Sequence, residues 1–400
     1  MNNKYLFFIF SVVLFSCSSK NNQQELPLEY YTIDLDAEKE EPIPLSSLFG
    51  RVRTVILESG DDYMIGQVNI IQVFDGYIYI LDSRRAKSLF VFDMEGRFIR
   101  KIGNIGNGPG EYIEANDFTL DTENGFIFIC DARNRIHKYQ FDGTYLHTIT
   151  IDSPTSKAVL IQFYNGILFS SQIWWNKSED NYMLLEIDPN NGNILSKSLN
   201  IKRYNKGWNE LVFDVHSNFF MSRGQNPPRY NQMFMDYIVS IGKEVTPYIE
   251  LKSKYLTTKA DIESFRGKDG MLVNTELLFN SKKKFNVHCF IENDDFVNFR
   301  WGGVVSSLSV VLDKKTGEAK LFDYMNNDLV YKQDKKGGLL GFRFSDMKGA
   351  YVILEPFTDM ISYFQNQIKN NEIVPNLDKL EQLKQLDDDS NPVILFYEYK

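Results

Sequence analysis

The stretch Phe74-Asp75-Gly76-Tyr77-Ile78-Tyr79-Ile80-Leu81-Asp82 returns 49 residues later as Glu123-Asn124-Gly125-Phe126-Ile127-Phe128-Ile129-Cys130-Asp131. A self-similar period of this length constrains a fold more than any composition does. Each unit is one small sheet that cannot bury its own faces, so neighbours must stack on both sides of it. Each copy continues alike: a basic turn (Arg84-Arg85-Ala86-Lys87; Arg133-Asn134-Arg135), a strand (88–93; 136–141), a Gly turn (Glu95-Gly96; Asp142-Gly143) and a further strand (97–102; 144–149). Short apolar runs joined by Asp-Gly, Asn-Gly or Glu-Gly read as hairpins, because those residues tolerate the positive φ of tight turns. Each unit is thus a four-stranded meander, with strands A to D.

Fainter units keep the same order. A third is expected over 158–165, 167–172, 182–188 and 194–201, and a fourth over 211–216, 219–222, 234–241 and 245–251. A fifth is expected over 285–292, 296–301, 304–313 and 318–324. A sixth, over 341–345, 351–355 and 392–399, lacks one strand. Val52 to Leu57 precedes the first unit with nothing else to pair with, so it supplies that strand, antiparallel to 392–399. The expected fold class is all-β: a six-bladed β-propeller over residues 51–400, closed by N- and C-terminal strands in one blade. Closure leaves only short, protected edges. Two insertions break the pattern, Thr257 to Ser281 and Phe357 to Asp389. The second has helical spacing at Ile361, Phe364 and Ile368, and both are expected to emerge on the loop face, as a lid over its mouth or, the preferred reading, packed on the rim.

The chain opens with Lys4, an apolar run from Tyr5 to Phe15, and Ser16-Cys17-Ser18-Ser19. That is the order of a secretory signal peptide, too short for a membrane span. Leu14-Phe15-Ser16-Cys17 resembles the lipobox of bacterial lipoproteins, which implies cleavage of residues 1–16, lipidation of Cys17 and a tether over 17–50. Ser18 after the Cys favours the outer membrane of the cell envelope. The net charge of −9, which removal of Lys4 takes to −10, argues against nucleic acid as a partner and leaves the lipid as the only membrane contact. Besides Cys17 only Cys130 and Cys289 remain, both in apolar runs, which reads as two buried free thiols.

The lipobox, the two strong repeats, Gly106-Asn107-Gly108-Pro109-Gly110-Glu111-Tyr112 and the terminal Asp388-Asp389-Ser390-Asn391-Pro392 together resemble six-bladed propeller lipoproteins of the NHL-repeat or TolB-like type. The resemblance covers about Arg51 to Lys400 and implies no general activity.

In such a ring the B–C loops and the D–A loops emerge on one face, and function concentrates on loops held by a rigid scaffold. All four Trp (Trp174, Trp175, Trp208, Trp301) and nine Arg (Arg84, Arg85, Arg133, Arg135, Arg203, Arg223, Arg229, Arg266, Arg300) are expected there. Arg and Trp dominate binding hot spots and suit sugars and carboxylates. The expectation is therefore a non-catalytic binder of a glycan, peptide or envelope protein, without a cofactor. Its candidate residues are Arg84, Arg85, Glu111, Arg133, Arg135, Trp174, Trp175, Trp208, Arg223, Arg300 and Trp301. The competing role for these Arg is to pair with Asp82, Asp131 and similar acids and lock the blades. The Gly106 to Gly110 stretch joins strand to strand, so its glycines serve a turn and not a phosphate cradle. The four His (His137, His147, His216, His288) lack metal-ligand spacing. A metal-dependent lyase or hydrolase at the central channel is the alternative reading, and it requires His from several blades to converge.

Overall fold

The structure is a computed structural model that describes residues 29–153, 156–174, 178, 181–208, 220–221, 227–268, 282–284, 287–302, 307–332, 341–355, 359–387 and 389–400. Strand β1 (Tyr31–Asp34) and strand β2 (Phe49–Ile56) precede the first blade. Blade one is β3 (Ile70–Phe74), β4 (Tyr77–Asp82), β5 (Ser88–Asp93) and β6 (Phe98–Ile102). A small parallel pair, β7 (Asn104–Ile105) and β8 (Glu111–Tyr112), leads to blade two: β9 (Ala115–Asp121), β10 (Phe126–Asp131), β11 (Arg135–Gln140) and β12 (Tyr145–Thr150). Blade three is β13 (Ser156–Tyr164), β14 (Ile167–Trp174), β15 (Tyr182–Ile187) and β16 (Ile194–Asn200). Blade four is β17 (Phe220–Met221), β18 (Arg229–Tyr230), β19 (Tyr237–Ile241) and β20 (Val245–Lys252). Blade five is β21 (Val287–Glu292), β22 (Phe296–Gly302), β23 (Ser307–Asp313) and β24 (Ala319–Phe322). Blade six is β25 (Phe344–Ser345), β26 (Gly349–Leu354), β27 (Val393–Tyr399) and, as its outermost strand, β2. The protein is a six-bladed β-propeller.

The turn chemistry explains the hairpins. Asp75-Gly76 and Asn165-Gly166 both take positive φ at both positions, 48° and 79°, then 48° and 80°, the geometry that matches strand twist. Every blade interior is covered on both faces by its neighbours, so strands such as β5 are buried along their whole length and do not alternate in exposure.

Closure follows the expected pairing and now has a register: Val52 faces Tyr397 and Ile56 faces Val393. The alternation left open by the sequence is resolved as well. Val393, Leu395 and Tyr397 join a cluster with Ile291, Val330 and the insertion, while Ile394 and Phe396 join the core of blades six, one and two.

Two expectations need correction. The tether does not run to residue 50, because β1 adds in parallel to the outer edge of β20, Tyr31 opposite Ile249. The chain then crosses blade five, where the Glu40 N–H donates to the Leu321 carbonyl at 2.8 Å, before entering blade six. Residues 30–57 are thus a strap over three blades, and four alternating residues were too few to signal it. In blade four, residues 211–216 lie outside the described residues. The run around 219–222 is strand A and not B; strand B is Arg229–Tyr230, and strand C starts at Tyr237, after a turn in which Phe234 takes φ 71°. Two-residue strands carry no periodicity to read.

The first insertion holds a helix, Lys259–Phe265, started by a reciprocal capping box between Thr258 and Asp261. The second holds helices Met360–Lys369 and Leu380–Leu383. Ile361, Phe364, Leu377 and Leu383 are buried against Val330, Tyr331 and Val393, and the Asp378 carboxylate accepts the Thr54 N–H at 3.0 Å, so this insertion packs on the outer part of blades five and six.

Asn391 is the polar key of the closure. It is fully buried; its Oδ1 accepts the Ile65 N–H at 2.7 Å and its Nδ2 donates to the Glu58 and Tyr63 carbonyls at 2.6 and 3.1 Å. Asn391→Ala should lower unfolding free energy by about 2–4 kcal/mol, since it orphans several buried backbone groups; urea titration measures this. Deleting residues 390–400 should expose the edges of β2 and β26 and yield aggregated or unfolded protein in gel filtration. A deletion variant that melts like the full chain would refute the closure.

Candidate functional site

The best-built feature of the loop face is the pair of B–C turns in blades one and two. Asp82, at the end of β4, is fully buried and has four backbone donors. Its Oδ2 accepts the N–H of Gly66 (2.8 Å) and Gln67 (3.1 Å) from the preceding D–A loop, and its Oδ1 accepts those of Arg84 (3.1 Å) and Arg85 (2.8 Å). The carboxylate therefore fixes both loops while the Arg84 and Arg85 side chains remain exposed.

Asp131 occupies the equivalent place at the end of β10. It accepts the Arg133 N–H at 2.8 Å, the Arg135 N–H at 3.3 Å, the Arg135 guanidinium through Nε at 3.0 Å and again through Nη2, and lies 3.2 Å from His137 Nε2. The His137 ring continues the chain, with Nδ1 2.9 Å from the Thr148 hydroxyl, which is itself 2.9 Å from the Tyr145 hydroxyl. With Nε2 protonated, each group has a donor or an acceptor. Burial alone would raise the Asp131 carboxyl; the bonds from His137 and Arg135 outweigh it and hold it down at about 2.

The candidate residues separate into groups. Arg84 and Arg133 are exposed and have no carboxylate partner among the described residues; Arg133 reaches only Asn107 Oδ1 at 3.1 Å. Arg135 pairs with Asp131 and Arg266 with Glu263. Arg300 lies in β22, and its buried Nε has no acceptor among the described residues. Glu111 turns back on its own loop, its Oε2 accepting the Gly108 N–H at 2.8 Å. A Cβ at Gly106 would lie 2.0 Å from that oxygen, so a side chain there would displace the Glu111 carboxylate.

Of the expected Trp platform, Trp208 and Trp301 are not on the loop surface. Trp208 is 1% exposed and stacks edge-on with Phe234 between blades three and four; Trp301 is 3% exposed in the core of β22. Large aromatic surface near a strand end gains more from the seam between blades than from solvent. The side chains of Trp174, Trp175 and Arg223 lie outside the described residues. Cys130 and Cys289 are free thiols; Cys130 is buried and Cys289 half-buried. Among the described residues no group of three or more His, Cys, Asp or Glu is placed to hold a metal.

Arg229 is not on the loop face either. It is buried at the start of β18, on the opposite side of the ring, with Nε and Nη2 donating to the two Glu292 oxygens, each at 2.9 Å. Its guanidinium lies 3.6 Å from the Tyr248 ring centroid, and the Tyr248 hydroxyl donates to Glu292 at 2.8 Å. Burial opposes the Glu292 charge, but Arg229 and Lys314 hold its carboxyl below the usual range. A polar cleft of about 220 Å³ opens beside this group, lined by Glu29, Glu292, Asn293 and Lys314 among others. Nothing in the sequence signalled a pair 63 residues apart.

Residues 30–398 match the model of a family described as a domain of unknown function, DUF4934. The chain belongs to this family. The DUF4934 chain is also similar in fold to a solved structure titled "Putative exported protein" from Bacteroides fragilis NCTC 9343, with a TM-score of 0.69, 18% identity, and coverage of 93% of this chain and 99% of that one. A second similar structure is the extracellular domain of a hybrid two-component system from B. thetaiotaomicron, with a TM-score of 0.39, 11% identity, and coverage of 67% of this chain and 29% of that one. No curated protein matches the DUF4934 chain. No helix among its described residues is long and apolar enough to cross a membrane.

Asp131→Asn tests the turn network. A carboxyl whose value falls from 3.8 to about 2 on folding stabilises the fold above pH 4 and loses that contribution as pH drops through 2. The variant should be less stable by about 2 kcal/mol at pH 7, and the gap should narrow between pH 4 and pH 2 in thermal melts.

Proposed function

We propose that this protein is an exported propeller lipoprotein of NHL-like type that binds a glycan, peptide or envelope protein on its loop face, without catalysis. One observation carries the reading: buried Asp82 and Asp131 fix the B–C turns through backbone N–H groups, and the turns display Arg84 and Arg133 without a carboxylate partner among the described residues. The backbone of such a turn needs no further ordering when a ligand meets its cations. With Trp208 and Trp301 in the core, sugar stacking loses support and acidic ligand chemistry gains it.

The export part rests on the N-terminal segment and on the name of the similar Bacteroides fragilis structure. Lipid on Cys17 places the propeller in the cell envelope, and Ser18 favours the outer membrane. Cys17→Ala should leave the propeller folded and move it from the membrane to the soluble fraction. Retention of that variant in the membrane as an acylated protein would refute the anchor.

Screening glycans and peptides for thermal stabilisation tests the binding face. A true ligand should bind the Arg84→Ala, Arg133→Ala double variant at least tenfold more weakly, with the unliganded Tm unchanged. Equal affinity for the double variant would refute the loop-face reading.

A further inference from the structure

One cation on the loop face differs from the rest. Arg300 sits near the loop-face end of β22, between His288 of β21 and Ser309 of β23. Its Nε is buried without an acceptor, and no acid among the described residues pairs with it. A second guanidinium, Arg343, stands just before β25 in blade six. Cys289 follows the His288 that faces Arg300 across the strand pair, and burial pushes its thiol up to about 11 against the opposing pull of Arg300 and Arg343. The nearby acid is committed elsewhere: Glu355 is 1% exposed, its Oε1 accepts the Val68 N–H at 3.0 Å, and Arg343 lies 3.6 Å from the same oxygen. His288 adds no charge at neutral pH, since burial, helped by Arg300, pushes its imidazole down to about 4.

The backbone is shaped around this spot. Cys289 takes φ 53° where the β21–β22 register shifts, and a Cβ at Gly341 would stand 2.9 Å from its sulfur. The contact of Gly341 with Cys289 thus sets the segment that carries Arg343 against β21, the strand that pairs with Arg300, and the nearby Glu355 carboxylate is already shared. A half-buried cation without a counter-charge is costly, and an incoming oxyanion would relieve that cost.

We propose that the seam between blades five and six is an oxyanion subsite, in which Arg300 and Arg343 receive a carboxylate or sulfate group of the ligand. The proposal rests on the loop-face reading above and adds its chemistry. Arg forks match both groups through paired N–H donors.

The test uses the detergent-solubilised full-length protein, with D-glucuronate, sodium sulfate and D-glucose as probes and sodium chloride at matched ionic strength. Glucuronate, sulfate or both should raise the Tm in a saturable way, glucose and chloride should not, and the stronger anion identifies the source. Arg300→Gln should abolish the response while leaving the unliganded Tm equal or higher, because the substitution removes an unpaired cation. Arg343→Gln, at an exposed site, should weaken the response at least tenfold. Absence of a saturable shift, a full response in Arg300→Gln, or a lower unliganded Tm in that variant would each overturn the subsite. If a ligand from the wider screen needs Arg84 and Arg133 but binds Arg300→Gln normally, only this inference falls. If anions act through Arg300 while every ligand ignores Arg84 and Arg133, the subsite stands and the broader reading falls.

Discussion

The pairing of β2 with β27 is the interaction on which the other blades depend. A blade is stable only when both faces are covered, and a ring of six covers every face only if the first and last blades meet. The last strand of the chain is the wall between them. Val393, Leu395 and Tyr397 face the core of blade five and the helical insertion, while Ile394 and Phe396 face blade one. The outer edge of β27 would be open without β2. The exposed Arg51–Glu398 ion pair across that edge adds little beside the backbone ladder.

Polar groups then fasten the blades where the apolar faces end. Asp117 in blade two accepts the Ile161 N–H of blade three at 2.7 Å, and the Thr119 hydroxyl accepts that of Phe163 at 3.0 Å. Glu355, Asp82 and Asp131 stand at the ends of the second strands of blades six, one and two, each buried and each accepting backbone N–H groups of the loop face. Asp82 spends both oxygens on backbone donors and Asp131 takes the Arg135 guanidinium besides, so neither pairs with Arg84 or Arg133. That is how a chain of net charge −9 displays cations on one face. On the opposite face the reverse holds, since Arg229, Lys314 and Tyr248 all converge on one buried carboxylate, Glu292.

Turn residues and apolar runs of fixed period made the six blades legible in the sequence. Asp75-Gly76 and Asn165-Gly166 can hardly be anything but hairpin turns, and the 49-residue repeat implies stacking. The closing pair was legible because two unpartnered strands remained at the chain ends. The candidate site was legible only in outline: Arg84, Arg85 and Arg133 follow directly from the B–C turns of the two strongest repeats.

What the sequence determined by itself was local: strand period and turn chemistry, each set by residues within a few positions of one another, and the number of units that follows from counting them along the chain. What only the tertiary structure decided was which way side chains at strand ends point and whom they meet. Trp208 and Trp301 carry no local mark separating a stacking platform from a core residue, and both went into seams between blades. Arg229 and Arg300 are both strand arginines, yet one meets Glu292 from the next blade and the other meets no acid among the described residues. The physical reason is that burial and charge pairing depend on neighbours dozens of residues away, brought together only when the ring closes.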